Sequence, residues 1–294
     1  MNLIEEAAKR LRQLEEAGVP LAARAAPVEA PPPPKRAAPE ARKRPAPQPT
    51  PAQVRSFDLR RLQAAGFITP TMPESRLLHE FRVLKRPLIQ HALGRTATHG
   101  PNRNLIMVTS ALPGEGKSFV ALNLAMSLAM EIDRRVLLVD ADVISPSVPG
   151  ALGIEPARGL MDVLTQPGTT LSDVVLGTNV ERLTLLLAGT AHAGASELLS
   201  SDAMTTLLAD LSSDPDQIVV FDSPPLLATT ESRVLATYMG QVVVVVEAER
   251  TTHGVLESAL STVETCPLVY TLLNKTSESK VGSHYGYGAY SYGS

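Results

Sequence analysis

The chain is short of several things that would otherwise define it. It has a single cysteine, Cys266, among 294 residues. A disulfide framework or a cysteine metal site within one chain is therefore excluded. Cys266 sits where a buried strand is expected to begin, and a reducing compartment suits it. Long apolar runs are missing too. The longest purely apolar run is Val242 to Val246, far below the roughly 20 residues of a membrane-spanning helix. The first 17 residues are charged throughout and have no apolar core of the signal-peptide kind. Any link to a membrane is expected to run through a partner or through surface charge. A strong charge of either sign is also absent. The net charge is −3, so the whole molecule is not a nucleic-acid polycation and no nucleic-acid partner is expected.

What is present is unevenly distributed. Residues 3–17 read as a short helix. Ile4, Ala7, Leu11 and Leu14 recur at helical spacing, and Glu5/Lys9 and Glu6/Arg10 form favourable i,i+4 pairs. Gly18 and Pro20 end it. Residues 26–53 hold ten prolines, too many for a packed core, and read as an extended, partly polyproline linker. Its Lys35, Arg36, Arg42, Lys43 and Arg44 could favour an acidic membrane surface, or simply keep the segment soluble. From about Asn104 the texture changes. Apolar runs at Leu105–Thr109, Val136–Val139, Leu183–Leu187, Ile218–Phe221, Val242–Val246 and Leu268–Leu273 alternate with helical stretches such as Ser118–Met130, Ser196–Leu211 and Thr252–Thr265. This alternation predicts an α/β fold: a mostly parallel sheet with helices on both faces. Ligands then bind beyond the carboxyl ends of the strands. The expected organisation is a helix in 1–20, a linker in 21–74, a nucleotide-binding domain in 75–278 and a low-complexity tail in 279–294.

Ala111-Leu112-Pro113-Gly114-Glu115-Gly116-Lys117-Ser118, with Phe119 following, lies between a strand and a helix. That is the setting a P-loop requires. Gly114 and Gly116 let backbone N–H groups turn toward phosphate oxygens. The helix opening at Lys117 adds its positive dipole end. Lys117 is placed to reach the β- and γ-phosphates of ATP, and Ser118 offers a hydroxyl to Mg2+. Ala111 stands where the common pattern has its first glycine, and keeps the residue small. Two strands end in acids. Val136–Val139 delivers Asp140 and Asp142, which alternation places on one side. Ile218–Phe221 delivers Asp222. Such carboxylates can hold Mg2+ directly or through water, and one can accept a proton from an attacking hydroxyl.

Taken together, these motifs resemble the bacterial tyrosine kinases of exopolysaccharide biosynthesis, and more closely the tyrosine autokinases of exosortase-linked loci. The resemblance covers about residues 75–294. It rests on 111–118, 136–142 and 218–222, on Ser196-Glu-Leu-Leu199 and Asp222-Ser-Pro-Pro225, and on a tyrosine-rich end. It implies transfer of the ATP γ-phosphate to tyrosine. Lys117 would bind phosphate, and Ser118, Asp142 and Asp222 would hold or orient the metal. Asp140 would be the base for the tyrosine hydroxyl, though Asp140 and Asp142 could exchange roles. Asn274 would lie near the adenine. It also implies a homo-oligomer, a transmembrane adaptor of the chain-length-determinant type, an opposing phosphotyrosine phosphatase, and a cytoplasmic protein recruited to the inner face of the membrane. Where the family's acidic strand often leads to an arginine, this chain has Ile144. The family's ring-forming helix has a Glu-x-x-Arg-x-x-Arg pattern. Here Arg82 is kept, the acid moves to Glu80, and Lys85 takes the last place, so the helix is either an assembly element or a solvated charged face.

Of the six tyrosines in the chain, Tyr285, Tyr287, Tyr290 and Tyr292 fall in its last ten residues, interleaved with glycine and serine. They are the expected phosphate acceptors. The 11 residues from Asn274 to Tyr285 span roughly 36 Å when fully extended, enough to reach a neighbouring site. Two rival readings remain: a partition or cell-positioning ATPase with the same sheet, and a module that holds nucleotide without turnover. The first carries a signature lysine early in the loop, where this chain has Leu112. The second has no need of three carboxylates.

Overall fold

The computed structural model describes residues 53–98 and 100–276. The expected helix at 3–17, the proline-rich stretch up to residue 52 and the tyrosines beyond residue 284 lie outside the described residues.

Eight strands form one sheet in the order β1-β4-β5-β3-β6-β2-β7-β8. They are β1 Val54–Arg55, β2 Leu105–Ser110, β3 Arg135–Asp140, β4 Leu176–Thr178, β5 Leu183–Leu186, β6 Gln217–Asp222, β7 Gln241–Glu247 and β8 Val269–Asn274. All neighbours run parallel except β4 and β5, which pair antiparallel. The α/β class and the mostly parallel sheet expected from the sequence are therefore present, each expected strand within a residue or two.

The central strands read as unbroken apolar runs because both of their faces are covered. Their alternation divides the core in two. Leu105, Met107, Leu137, Val139, Val219, Phe221, Val242 and Val244 face one layer. Ile106, Val108, Val136, Leu138, Ile218, Val220, Val243 and Val245 face the other. The first layer is closed by α8 (Asp202–Ser212) and α10 (His253–Ser261). The second is closed by α3 (Lys117–Ala129) and α2 (Arg76–Ala92). The stretch 196–211 is not one helix. It is α7 (Ala195–Leu199) and α8, broken where Ser201 accepts from the amide of Met204 as an N-cap. Cys266 is buried in the turn ahead of β8 rather than in the strand itself.

Residues 54–74, expected as the end of a linker, are folded onto this body. β1 pairs with β4 at one sheet edge. Asp58 caps α1 (Leu59–Ala64) by accepting from the amides of Arg60 and Arg61. Phe57, Leu62 and Ile68 are buried. The tether is a side chain from another element. Asn123, buried in the middle of α3, accepts from the amide of Ile68 at 2.6 Å and donates to the carbonyl of Phe119 at 2.9 Å. A strand of two residues and a helix of six leave too little periodicity to be legible in the sequence.

α2 presses on α3 through Lys85. Its ammonium donates to the carbonyl of Ser127 and to the carboxylate of Glu131, both at 2.6 Å. Glu80 pairs with Arg76 at 2.7 Å, and Arg82 makes a two-pronged pair with Glu74 at 2.7 and 2.8 Å. The charged groups of this pattern are engaged within the chain, Lys85 in the core and Arg82 on the surface. Among the described residues no helix is long and apolar enough to cross a membrane.

Candidate active site

The loop 111–116 leaves β2 at its carboxyl end and enters α3. Gly114 and Gly116 have φ of +85° and +97°, a region side chains rarely adopt. A Cβ at Gly116 would also displace Nδ2 of Asn274 from its place against the loop. Asn274, at the end of β8, instead donates to the carbonyl of Glu115 at 2.9 Å, and Lys275 donates to that of Gly114 at 2.8 Å. The last strand therefore braces the loop from outside.

Glu115 is not a surface residue of the loop. Its side chain is buried and accepts from the amide of Leu112 at 2.6 Å and from the hydroxyl of Thr251. It ties the loop to the segment after β7, so what residue 115 can offer a phosphate is its backbone. Pro113 and Gly114 are exposed at the crest, and Ala111 is buried beneath it. Leu112 packs partly into the core. Phe119 sits against Phe67, with ring centroids 5.3 Å apart, and so its side chain serves packing.

Below the loop the expected charges converge. Lys117 Nζ is 2.6 Å from Asp142 Oδ2, 3.9 Å from Asp222 Oδ1 and 3.4 Å from Ser118 Oγ. These groups come from three adjacent strands, β3, β6 and β2, that end side by side. Asp140 pairs in register with Asp222. Asp142 uses its other oxygen to accept from the amide of Ser145 at 3.1 Å, and Asp140 Oδ2 accepts from the amide of Val148 at 3.2 Å. Asp140 Oδ1 and Asp222 Oδ1 are buried without a hydrogen-bond partner. Burial, then the charge of Asp222, pushes the Asp140 carboxyl up to about 7. Burial also raises Asp222, against the opposing pull of Lys117.

Ser147 escaped the sequence reading. It precedes α4 (Val148–Leu152). Its hydroxyl donates to Ser118 Oγ at 2.7 Å and lies 3.3 Å from Asp222 Oδ2. Nothing in the sequence distinguishes this serine from an ordinary helix cap.

The donor set fits Mg2+. Among the described residues no three acidic, histidine or cysteine side chains form a ready metal cage. Mg2+ does not need one, because it retains waters and shares substrate phosphates, taking only one or two carboxylates from protein. The Ser118 hydroxyl and the unpaired oxygen of Asp222 meet that need. So does the surplus of negative charge around one lysine. An approaching phosphate would find in Lys117 an ammonium held by Asp142 and, more distantly, by Asp222 and the Ser118 hydroxyl.

Comparison with known proteins follows the same lines. A family model described as the ParA-type "NUBPL iron-transfer P-loop NTPase" matches residues 102–255. The tyrosine-protein kinase YwqD of Bacillus subtilis is 32% identical over 222 residues, covering 75% of this chain and 90% of that protein. The tyrosine-protein kinase ptk of Acinetobacter johnsonii is 33% identical over 58% of this chain, which spans only 23% of that longer protein. Among solved structures, the VpsO kinase domain is 29% identical with a TM-score of 0.57, covering 68% of this chain and 96% of that one.

Proposed function

The chain belongs to the bacterial tyrosine-kinase branch of the ParA-type P-loop NTPases, and on that premise we propose that it is a protein-tyrosine autokinase acting on its own C-terminal tyrosines. The observation that carries the reading is the convergence of Lys117, Ser118, Asp142 and Asp222 under one loop, with the half-open carboxylate of Asp140 beside them. Relatives named as tyrosine-protein kinases favour phosphotyrosine over free phosphate as the product.

In this mechanism the amides of residues 113–118 hold the ATP phosphates, and Lys117 turns from Asp142 to the β- and γ-phosphates. Ser118 and Asp222, with Asp142 alongside, would hold Mg2+, which would supply positive charge to offset what builds up on the phosphoryl oxygens. The tyrosine oxygen attacks the γ-phosphorus, and the bond to the β,γ-bridging oxygen breaks to release ADP. Asp140 takes the phenolic proton. A carboxyl lifted to about 7 is suited to that step, since a base works best when its pKa lies near the operating pH. Asn274 braces the loop from the side on which the adenine would lie. Tyr285, Tyr287, Tyr290 and Tyr292 are the acceptors.

The wider setting is part of the proposal. The chain spans about a quarter of the longer relatives, 23% of ptk and 28% of the putative tyrosine-protein kinase EpsB of Ralstonia nicotianae. One relative is named a succinoglycan biosynthesis transport protein. A role in exopolysaccharide synthesis or export follows, with a transmembrane chain-length-type adaptor recruiting a homo-oligomer to the membrane and a phosphatase reversing the modification.

The test is phosphosite mapping of dephosphorylated protein incubated with Mg-ATP. Phosphate on tyrosines beyond residue 284 is expected. Release of free phosphate with an unmodified tail would leave a partition-type ATPase instead.

A further inference from the structure

The segment after β3 is held at two points, Ser145 and Val148, by carboxylates of the site. Asp142 accepts from the amide of Ser145, and Asp140 accepts from the amide of Val148. Between those two anchors stands Ser147, in the N-cap position of α4. A serine there ordinarily turns its oxygen back to accept from an amide of the first helical turn. Ser147 makes no such bond. Its hydroxyl points the other way, donating to Ser118 Oγ at 2.7 Å with Asp222 Oδ2 at 3.3 Å. The amide of the first helical residue is met by Asp140, which leaves Ser147 free for the site.

We propose that Ser147 is a positioning residue of the metal site, holding the Ser118 hydroxyl and the Asp222 carboxylate in register for a divalent cation. The inference rests on the reading that these two groups face Mg2+. Its logic is proton direction. A hydroxyl has one proton to give and two lone pairs to offer. Ser147 Oγ touches both Ser118 Oγ and Asp222 Oδ2, so it links the two groups and constrains each against the other. When a cation draws on a lone pair of Ser118, the proton of Ser147 can turn to Asp222 Oδ2 by rotation about one bond. Asp222 then keeps its orientation and the half-buried site gains no unpaired donor. Partners of metal ligands that act in this way typically govern affinity by about 10- to 100-fold.

The experiment follows binding of a fluorescent, non-hydrolysable ATP analogue to the full chain while Mg2+ is titrated. In Ser147→Ala the half-saturating Mg2+ concentration should rise about tenfold. Analogue affinity without Mg2+, and the melting temperature, should match the wild type because no capping bond is lost. Ser147→Thr, which restores the hydroxyl, should recover most of that roughly tenfold loss. An unchanged Mg2+ requirement in Ser147→Ala would overturn the proposal. So would an equal loss of affinity without Mg2+, which would mark Ser147 as a general support of the loop. A wild-type protein whose binding ignores Mg2+ altogether would remove the metal site, and this inference with it.

Discussion

Lys85 and Lys117 are both largely withdrawn from water, with side chains 8% and 12% exposed, yet their surroundings are opposite in kind. Lys85 gives one bond to a neutral carbonyl and one to Glu131, whose carboxylate is itself 42% exposed. One charge meets one charge, and the pair can still be hydrated. Lys117 faces Asp142 and Asp222, with Asp140 paired in register to the latter, and two of the carboxylate oxygens are buried without hydrogen bonds. One positive charge stands among three acids. Desolvating charges in that ratio is unfavourable unless a proton or a further cation joins them. The first arrangement is complete as it stands and fastens α2 to α3. The second leaves Asp140 Oδ1 and Asp222 Oδ1 buried without a hydrogen bond, a deficit that a proton or a bound cation makes good.

The comparison can be broken in several ways. The largest effect is expected from Lys117→Met. Tyrosine phosphorylation, followed by phosphotyrosine immunoblot and mass spectrometry, should fall at least about 100-fold, the scale for losing a charge aimed at the transition state. Circular dichroism should stay native. Retention of full activity would remove the loop from the mechanism. The same substitution at the other lysine should do the reverse. Lys85→Met should lower unfolding free energy by about 2 kcal/mol, from the stranded carbonyl and the lost ion pair, as read from urea midpoints. Phosphorylation per folded molecule should stay within about twofold of wild type, the change allowed if transition-state binding is untouched. A loss of turnover without a loss of stability would show that the α2–α3 seam is not merely structural.

A smaller effect sharpens the charge argument. The Asp140 carboxyl is raised from its ordinary 3.8 to about 7. Over that interval the folded chain holds a proton that the unfolded chain has released. Stability of the metal-free protein should therefore decline as pH rises from about 4 to about 7, then level off. Asp140→Asn should remove this component, so that its stability relative to wild type rises between pH 4 and pH 8. Parallel pH profiles for the two proteins would show that Asp140 is not held in the raised state.

Much of the site could be read from local sequence because its chemistry is local. The loop 111–118 needs glycines, a lysine and a serine in fixed order between a strand and a helix. Asp140, Asp142 and Asp222 announce themselves as acids at the ends of apolar runs. The sheet was equally legible, since strands buried on both faces cannot hide their hydrophobicity. The short elements at 54–74 were not, because a two-residue strand has no period. Nor was the buried turn of Glu115, which a sequence reader places at the phosphate because its neighbours go there.

The residues themselves thus determined a phosphate-binding loop, its acids and a mostly parallel sheet, through patterns that each span only a few positions. Tertiary structure decided the rest. It turned Ser147 from a helix cap toward Ser118, seated Asn274 against Gly116, made Lys85 a tether, and set Lys117 among three carboxylates. The physical reason is the same in each case. A hydrogen bond or an ion pair depends on distances of about 3 Å between atoms, and the partners here lie 25 to 159 residues apart in the chain. Only the folded sheet brings them within reach.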